Sequence, residues 1–354
     1  MTPFTAYCAC EAHGPLVPKL FERRALRPDD VSIAIAYCGV CHSDAHQVHN
    51  DWNNTVYPCV PGHEIVGHVT AVGPEVTRYK VGDRVAVGCL VDSCQQCEPC
   101  SQGQEQHCQQ GPTPTYNGRD RVTGETTYGG YCDHIVVREK FVLRVPDALE
   151  LESASPLLCA GITVWTPMRE HGVGRGSKVA VVGLGGLGHL GVKLAVALGA
   201  EVTVITTSAA KADDARSLGA HRVLLSTDQK AMMAAANGFD FILDTIPTRH
   251  NVNPYLMLLG RRGALVVVGA IDLLEPVHGG LLIRNNRTLA GSLIGGLAAT
   301  QELLDFCAEH EVLPRCELID IRDINTAFAR MQANDVKYRF VIDMATLQHV
   351  QATP

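Results

Sequence analysis

The residues best suited to chemistry lie between Cys38 and Gly67, in the segments CGVCHSDAHQV and VPGHEIVG. Cys41 and His63 are candidate zinc ligands, because catalytic zinc sites combine three such protein ligands with one open position. Polar residues stand beside them in the sequence: Ser43, Asp44, His46 and Glu64. A buried cysteine and a hydrogen-bonded core histidine would explain the pair without a metal. A third cysteine, Cys159, precedes a dinucleotide-binding signature and favours the zinc hypothesis.

Four cysteines with the spacing C-x2-C-x2-C-x7-C form the strongest single motif: Cys94, Cys97, Cys100 and Cys108. Four thiolates on one loop close a tetrahedral zinc site with no open position, which is structural rather than catalytic. An Fe–S cluster is the rival, but the ferredoxin pattern places the fourth cysteine three residues on, followed by proline. Here the gap is seven residues and Gln109 follows. Because the loop lacks apolar residues, we expect the metal to supply most of its folding free energy.

The other eight cysteines have no ligand-like partner at useful spacing, and we interpret them as small buried hydrophobes or surface thiols. They are Cys8, Cys10, Cys38, Cys59, Cys89, Cys132, Cys307 and Cys316.

A glycine-rich turn lies between a short apolar strand, 178–183, and a segment with helical apolar spacing, 189–198. The turn consists of Gly183, Leu184, Gly185, Gly186, Leu187 and Gly188. In this strand–turn–helix context the glycines permit a tight turn and close approach to a pyrophosphate, and the helix N-terminus favours the anion. The sequence therefore predicts a dinucleotide site.

The end of the next predicted strand, 202–205, indicates which dinucleotide is bound. NAD-specific enzymes usually place an acidic residue there to bind the ribose 2′-OH. This chain has Thr206, Thr207 and Ser208, followed by Lys211. Hydroxyls and a lysine accept a 2′-phosphate, which a carboxylate would repel. A polar turn with a solvated lysine is the alternative, but the pattern favours NADP(H).

The elements that position these residues fall into two groups. In the first half, alternating polarity and Gly/Pro punctuation predict strands at 31–37, 65–72, 84–87, 135–137 and 141–145. In the second half, strands at 178–183, 202–205, 223–225, 241–244, 264–268 and 288–291 alternate with helices near 209–218, 229–236 and 250–260. Helices near 300–310 and 323–334 and a last strand in VKYRFVID follow. The fold class is α/β, with a β-rich part and a doubly wound parallel sheet.

The whole composition limits the functions to consider. The chain has 354 residues, enough for two domains, and is 46% hydrophobic and 19% charged, as globular proteins are. A net charge of -7 shows no nucleic-acid footprint. We see no signal peptide and no apolar run near the ~20 residues that span a bilayer, so no membrane partner is expected and a cytoplasmic location is the default. Without a secretion signal, clustered cysteines favour metal binding over disulfides.

CGVCHSD, PGHEIVG, the four-cysteine lobe, LLCAGIT and GLGGLGH occur in this order. Together they resemble the zinc-dependent medium-chain alcohol dehydrogenases, in the cinnamyl-alcohol-dehydrogenase-like branch of NADP-dependent aldehyde reductases. The resemblance covers nearly the whole chain. It implies a GroES-like catalytic domain at 1–154 and 296–354 and a Rossmann coenzyme domain at 155–295. It also implies a homodimer joined through the coenzyme domains, with 288–294 as the candidate edge strand.

The resemblance, rather than any derivation from spacing, gives the catalytic zinc its ligands: Cys41, His63 and Cys159. It implies that Ser43 contacts the reacting oxygen and that His46 passes the proton to solvent. Asp44 would orient His63, and Glu64 would either bind zinc or lie behind it. A loop hydrogen bond and a surface histidine are the bland alternatives for Ser43 and His46. Thr163, in LLCAGIT, and Arg339 match positions near the coenzyme, although a surface ion pair would also explain Arg339.

The function expected from these features is hydride transfer between NADP(H) and a primary alcohol or aldehyde, mainly as aldehyde reduction, with two zinc ions per chain. Zinc would act as a Lewis acid on the carbonyl oxygen and NADPH would donate the hydride. The alternatives are an NAD-dependent polyol or formaldehyde dehydrogenase, which should carry an acid after the second strand, and a non-catalytic zinc-binding interaction protein. The latter would explain the four-cysteine lobe but not the other motifs. The substrate is a small molecule that the sequence does not identify.

Overall fold

A computed structural model describes residues 2–269 and 273–352. By its internal contacts the chain divides into two units. The first unit comprises the residues up to Cys159 together with those from Gly295 onward, and the second unit is Ala160–Ile294. Residues 155–159 and Gly295, which the sequence assigned to the coenzyme domain, lie by this division in the first unit.

The strands of the first unit before Cys159 are β1 (Thr2–Cys8), β2 (Val17–Arg23), β3 (Asp30–Val40), β4 (Ile65–Val72), β5 (Arg84–Val87), β6 (Leu90–Asp92), β7 (Thr113–Pro114), β8 (His134–Arg138) and β9 (Leu143–Arg144). The helices there are α1 (His42–His49), α2 (Glu98–Ser101) and α3 (Leu151–Ala154). β1 pairs with β2, and β6 pairs with β7, in antiparallel ribbons.

The second unit alternates strands with helices. Its helices are α4 (Ala160–Glu170), α5 (Gly188–Ala197), α6 (Ala212–Ser217), α7 (Gln229–Ala234), α8 (Asn253–Leu258) and α9 (Gly279–Asn285). Its strands are β10 (Lys178–Val182), β11 (Glu201–Thr206), β12 (Arg222–Leu225), β13 (Phe239–Asp244), β14 (Leu259–Val267) and β15 (Thr288–Gly291). All neighbouring strands are parallel, in the order β12-β11-β10-β13-β14-β15. The order reverses between β10 and β13, as in a dinucleotide-binding sheet.

The chain then returns to the first unit with α10 (Leu297–Glu309), β16 (Cys316–Asp320), α11 (Ile324–Gln332) and β17 (Arg339–Asp343). These strands complete a seven-stranded sheet with the order β16-β17-β3-β4-β5-β9, in which β8 also pairs with β3. β3 can pair with three strands because it is long: β8 pairs along its start, β17 along its end and β4 along its other edge. The chain therefore enters α1 directly from a central, buried strand.

The predicted strands 65–72, 84–87 and 288–291 match the observed bounds. The predicted helix 250–260 is too long, because α8 ends at Leu258 and β14 begins at Leu259, pairing with Phe239 across an irregular register. The predicted strand 141–145 is too long, because Phe141 ends a helical turn and only the two-residue β9 is a strand. The β1–β2 hairpin was not predicted, since its residues alternate poorly. Among the described helices, none has the length and apolarity required to cross a bilayer.

Candidate active site

The start of α1 places three polar side chains at the end of β3: those of Cys41, Ser43 and Asp44. Cys41 precedes the helix, and its backbone N–H donates to Asp44 Oδ2 at 2.9 Å, so the carboxylate satisfies one of the free N–H groups of the first turn. Ser43 is half-buried in the same turn. Asp44 has no exposed surface. The helix is therefore fixed at the cysteine by its own third residue.

Four buried donors converge in the first unit: Cys41, His63, Glu64 and Cys159 each offer a ligand atom, and these atoms all lie within 4.8 Å of one another. The two sulfur atoms are 3.8 Å apart. Two thiolates bound at zinc–sulfur distances of about 2.3 Å in tetrahedral geometry would be about 3.8 Å apart, so the donor set fits zinc. The neighbouring Cys159 thiol and the His63 ring also lower the pKa of Cys41 well below its ordinary value.

Asp44 is the centre of the hydrogen bonds behind this site. Its Oδ1 lies 3.0 Å from both Gly62 N and His63 Nδ1, and its Oδ2 accepts from Cys41 N and, at 3.2 Å, from Tyr131 OH. Four donors fill the roughly four lone-pair positions of a carboxylate. Gly62 has a φ of +104°, and a Cβ there would lie 2.7 Å from the Tyr131 ring, so PGHE requires its glycine.

Glu64 is fully buried and forms a short ion pair through Oε1 with Arg339 Nη2. Burial raises the pKa of Glu64 to about 8, while the Arg339 cation acts in the opposite direction. Among the described residues, Glu64 Oε2 and Arg339 Nε are buried without a hydrogen-bond partner. The free Oε2 leaves the carboxylate a donor for a metal. Arg339 therefore contacts a member of the donor cluster, and this buried ion pair is not a surface ion pair.

His46 lies three residues after Ser43 on α1, and residues at this spacing are neighbours on a helix. Its Nδ1 is 2.7 Å from Asp51 Oδ2, and its ring lies 5.7 Å from that of Trp52. Both His46 and Asp51 are partly exposed. With Nδ1–H donating to Asp51, Nε2 carries the lone pair. The sequence did not indicate a role for Asp51, because its contact with His46 depends on the turn that follows α1.

The four-cysteine lobe forms a second donor cluster, with the ligand atoms again within 4.8 Å of one another. Backbone N–H groups of Cys97 and Gln109 donate to sulfur atoms of the cluster at 3.4 Å. The N–H groups of Gln96 and Cys97 lower the pKa of Cys94 to about 6, which favours the thiolate that a metal requires. The lobe also contacts α10, since Glu105 Oε2 accepts from Leu297 N at 3.1 Å.

Two further side chains lie near the donors of this first cluster. Tyr116 is buried with its ring 5.6 Å from the His63 ring. Cys89, expected to be a filler or surface thiol, donates to Leu158 O at 3.7 Å, and an interaction with Cys159 lowers its pKa. No spacing rule could have found the role of Cys89, because the turn after β5 meets the segment before Cys159 only in the folded chain.

The glycine-rich turn joins β10 to α5 in the second unit. Gly183 has a φ of +91°, and a Cβ on Gly188 would lie 2.2 Å from Gly183 O, so both positions require glycine. A Cβ on Gly185 would meet no atom within 4 Å. The turn is therefore tight on one side and open on the other, which suits a pyrophosphate. Leu184 is buried and Leu187 directly precedes α5, while Thr163 is buried on α4.

The hydroxyl-rich segment lies at the carboxyl end of β11. Thr206 is buried and ends the strand, Thr207 is exposed and Ser208 is half-buried. Lys211 Nζ donates to Leu184 O at 3.2 Å, so the ammonium group is held beside the glycine-rich turn. The first acidic side chains beyond β11 are Asp213 and Asp214, in the first turn of α6. The cation and the hydroxyls therefore share the edge of the sheet where the turn lies.

A buried zinc-type donor set in one unit and a dinucleotide-binding sheet in the other define the class of metal-dependent dehydrogenases. A sequence profile described as "Alcohol dehydrogenase GroES-like domain" matches residues 27–147, and one described as "Zinc-binding dehydrogenase" matches residues 186–309. The chain belongs to the zinc-dependent medium-chain alcohol dehydrogenases, in their cinnamyl-alcohol-dehydrogenase-like branch. The predicted family and the predicted combination of GroES-like and Rossmann folds are confirmed.

Individual relatives support this placement over nearly the full length. NADP-dependent alcohol dehydrogenase C 1 of Mycolicibacterium smegmatis is 50% identical over 98% of this chain and 100% of its own. Aldehyde reductase YahK of Escherichia coli is 50% identical over 96% of this chain and 97% of its own. The solved structure of a cinnamyl alcohol dehydrogenase of Sorghum bicolor has 45% identity and a TM-score of 0.94, covering 97% of this chain and 98% of that chain.

Proposed function

We propose that the protein is a zinc-dependent oxidoreductase that transfers hydride between NADP(H) and a primary alcohol or aldehyde, mainly in the direction of aldehyde reduction. The observation that carries the proposal is the convergence of Cys41, His63 and Cys159 within 4.8 Å in a chain that also has a complete dinucleotide-binding sheet. Relatives named as NADP-dependent alcohol dehydrogenase, aldehyde reductase and cinnamyl alcohol dehydrogenase support the same chemistry.

Cys41, His63 and Cys159 would hold the catalytic zinc, with Glu64 Oε2 close enough to bind it or to lie behind it. The bound groups supply Lewis-acid polarisation of a carbonyl oxygen and a hydride donor. Asp44 fixes the His63 tautomer, because Nδ1–H donates to the carboxylate and leaves Nε2 as the ligand atom. The ion pair with Arg339 compensates the charge that Glu64 carries when it is ionised, and so opposes the effect of burial on its pKa. The second zinc would be held by the four cysteines of the lobe.

Reduction of an aldehyde consumes a proton, and the side chains of α1 supply a route for it. Ser43 stands beside Cys41 and would donate its hydroxyl proton to the product oxygen. His46, its neighbour on the helix, would replace that proton from solvent through Nε2. Asp51 holds His46 Nδ1 at 2.7 Å and stabilises the ring when both nitrogens are protonated. The partial exposure of His46 and Asp51 opens this end of the route to water.

The coenzyme would lie along the glycine-rich turn, with Thr163 near its path and its 2′-phosphate at Thr206, Thr207, Ser208 and Lys211. The anchoring of Lys211 Nζ on Leu184 O supports this assignment, because it holds a positive charge beside the glycine-rich turn, four residues after the exposed Thr207. Ionised donors and acceptors form stronger hydrogen bonds than neutral ones, by roughly a factor of two. Arg339 would contact the coenzyme in addition to its ion pair with Glu64.

We also propose a homodimer that forms through the second unit. β15 ends the described strand order, and Ile283 and Leu293, near it in sequence, are 79% and 58% exposed. Exposed apolar groups beside an unpaired strand edge suit a second copy of the chain. Light scattering should give twice the chain mass of 38.1 kDa, and Leu293→Asp should give the monomer. For the location we propose the cytoplasm, because both donor clusters require reduced cysteines.

Metal analysis and coenzyme kinetics on one preparation test the enzymatic proposal. We expect about two zinc ions per chain and NADPH oxidation that depends on added aldehyde, compared across aliphatic and aromatic aldehydes by kcat/KM. Fewer than one zinc per chain, or no aldehyde-dependent oxidation, would contradict it. A faster reaction with NAD and formaldehyde or a polyol would support the alternative class of dehydrogenase.

A further inference from the structure

Asp244 and His250 form a buried pair at the carboxyl end of β13. Asp244 is the last residue of the strand and has no exposed surface. Its Oδ2 lies 2.7 Å from His250 Nε2, and its Oδ1 accepts from Ile246 N at 3.1 Å. The His250 side chain is 13% exposed, and its ring lies 6.2 Å from the buried Tyr255 ring on α8. The carboxylate thus connects both ends of the short segment that follows it.

The hydrogen bonds of His250 fix the protonation of this pair. His250 Nδ1 lies 2.7 Å from Thr248 O, and a carbonyl oxygen only accepts, so Nδ1 carries a proton. One further proton must lie between Nε2 and the Asp244 carboxylate, because two lone pairs would repel each other at 2.7 Å. Whether this proton is on nitrogen or on oxygen, the pair has no net charge. Asp244 is therefore a buried acid without an uncompensated negative charge.

The segment 245–250 lies beside the glycine-rich turn. The N–H and Oγ1 of Thr245 both donate to Val182 O, at 3.1 and 2.8 Å, and a Cβ on Gly183 would lie 2.8 Å from Thr245 Oγ1. β10 and β13 are the neighbours between which the strand order reverses. Ligands of such sheets bind in the crevice outside the carboxyl ends of the strands at that point. Segment 245–250 therefore begins at this crevice, beside the glycine-rich turn.

We propose that Asp244 and His250 are positioning residues for the dinucleotide coenzyme. Their shared proton folds segment 245–250 into one fixed turn, so that Thr245 and Ile246 form a rigid wall of the crevice. The neutrality of the pair also removes a negative charge that would otherwise lie beside the anionic phosphates. This inference rests on the proposed function, since it concerns the same coenzyme site, but it assigns a role to residues outside the glycine motif and the hydroxyl-rich segment.

Titration of the zinc-containing protein with NADPH, followed by coenzyme fluorescence, tests the role. His250→Ala should raise the Kd for NADPH by about tenfold, because coenzyme binding must then also order segment 245–250, which costs free energy. The kcat at saturating NADPH and the zinc content should change little, because both residues belong to the second unit and the zinc donors to the first. His250→Gln, which keeps an N–H donor, should restore most of the affinity. His278→Ala, an exposed histidine of the same unit, is the matched control.

A double-mutant cycle separates the effect of charge from the loss of order. In His250→Ala the Asp244 carboxylate is left without its partner, so adding Asp244→Asn should recover part of the lost affinity, and the two changes should not be additive. Wild-type Kd in both His250→Ala and His250→Gln would overturn the inference while the proposed function stands. A wild-type protein that fails to bind NADPH would instead refute the proposed function. If His250→Ala does not fold, the cycle is made with His250→Gln in its place, combined with Asp244→Asn. Additive effects on the Kd for NADPH, or no effects, would then refute the pairing.

Discussion

Asp44 Oδ1 lies 3.0 Å from His63 Nδ1, and this contact decides which ring nitrogen can bind a metal. Asp44→Asn retains the shape of the side chain but replaces one acceptor oxygen with an NH₂ group. At least one of the groups that donate to Asp44 would then face another donor. We expect zinc to be released roughly 10–100-fold more readily, as for other partners of metal-binding histidines. Competition with a chromophoric chelator measures this, with catalytic and structural zinc resolved by their release phases.

Asp51→Asn is the matched control for that variant, because Asp51 also holds a histidine but lies outside the donor cluster. It should retain wild-type zinc. If Asp44→Asn and wild type released zinc at the same rate, the orienting role of Asp44 would be wrong.

Tyr131→Phe removes only the hydroxyl that donates to Asp44 Oδ2 at 3.2 Å. The variant leaves one acceptor position of a fully buried carboxylate unsatisfied, which should lower the free energy of unfolding by about 1–3 kcal/mol. Zinc release should increase less than in Asp44→Asn, since three donors remain. Urea denaturation and the chelator assay measure the two effects. Unchanged stability would show that Asp44 does not depend on this hydroxyl.

The two donor clusters should differ in what their loss costs. Cys41→Ser should abolish turnover but leave the melting temperature close to that of wild type, because Cys41 lies at a junction of β3 and α1 that the backbone already fixes. Cys100→Ser should lower the melting temperature by more than about 5 °C, since the metal stabilises a lobe with little core of its own.

Calorimetry, with zinc counted per chain and activity measured on the same samples, distinguishes these outcomes. Activity near that of wild type in Cys41→Ser would exclude its role as a catalytic ligand. A zinc-poor Cys100→Ser protein of full thermal stability would exclude a structural role for the lobe.

Ser43→Ala should lower kcat by roughly 10²-fold while the Kd for NADPH changes little, because a relay hydroxyl acts on proton movement and not on coenzyme binding. Asp51→Asn should lower kcat less, since His46 keeps its ring but loses the carboxylate that lies 2.7 Å away. Stopped-flow measurement of NADPH oxidation isolates the chemical step. A wild-type rate of that step in Ser43→Ala would refute the relay.

The sequence could predict those parts of the molecule whose geometry depends on residues close together in the chain. The glycine-rich turn, the four-cysteine lobe and Cys41 belong to short motifs whose geometry depends mostly on neighbouring residues. Tyr131 meets Asp44 across 87 residues of sequence, so only the folded sheet brings them together. Arg339 was predicted near the coenzyme, and its contact with Glu64 was not foreseen, because it depends on the pairing of β17 with the end of β3 and on the room that Gly39 leaves for the carboxylate. The pair of Asp244 and His250 carried no motif and was missed.

The preference for NADP(H) should depend on Thr207 and Lys211. Thr207→Asp places a carboxylate at an exposed position just beyond β11, where it would repel a 2′-phosphate and could accept from a ribose 2′-OH. The loss of a few charge-assisted hydrogen bonds, at ~1.5–3 kcal/mol each, should raise the Kd for NADPH by about two orders of magnitude. Binding of NADH should change little or improve.

Lys211→Ala removes both the positive charge and the contact with Leu184 O at 3.2 Å. We expect the Kd for NADPH to rise about tenfold and that for NADH to stay nearly constant, because only the phosphate requires the cation. Lys230→Ala, an exposed lysine on α7, controls for the loss of a surface charge. Parallel titrations at two salt concentrations should show a weaker salt dependence of NADPH binding in Lys211→Ala than in Lys230→Ala. Equal kcat/KM values of the wild type for the two coenzymes, or a higher value with NADH, would show that these hydroxyls and this lysine form an ordinary polar turn.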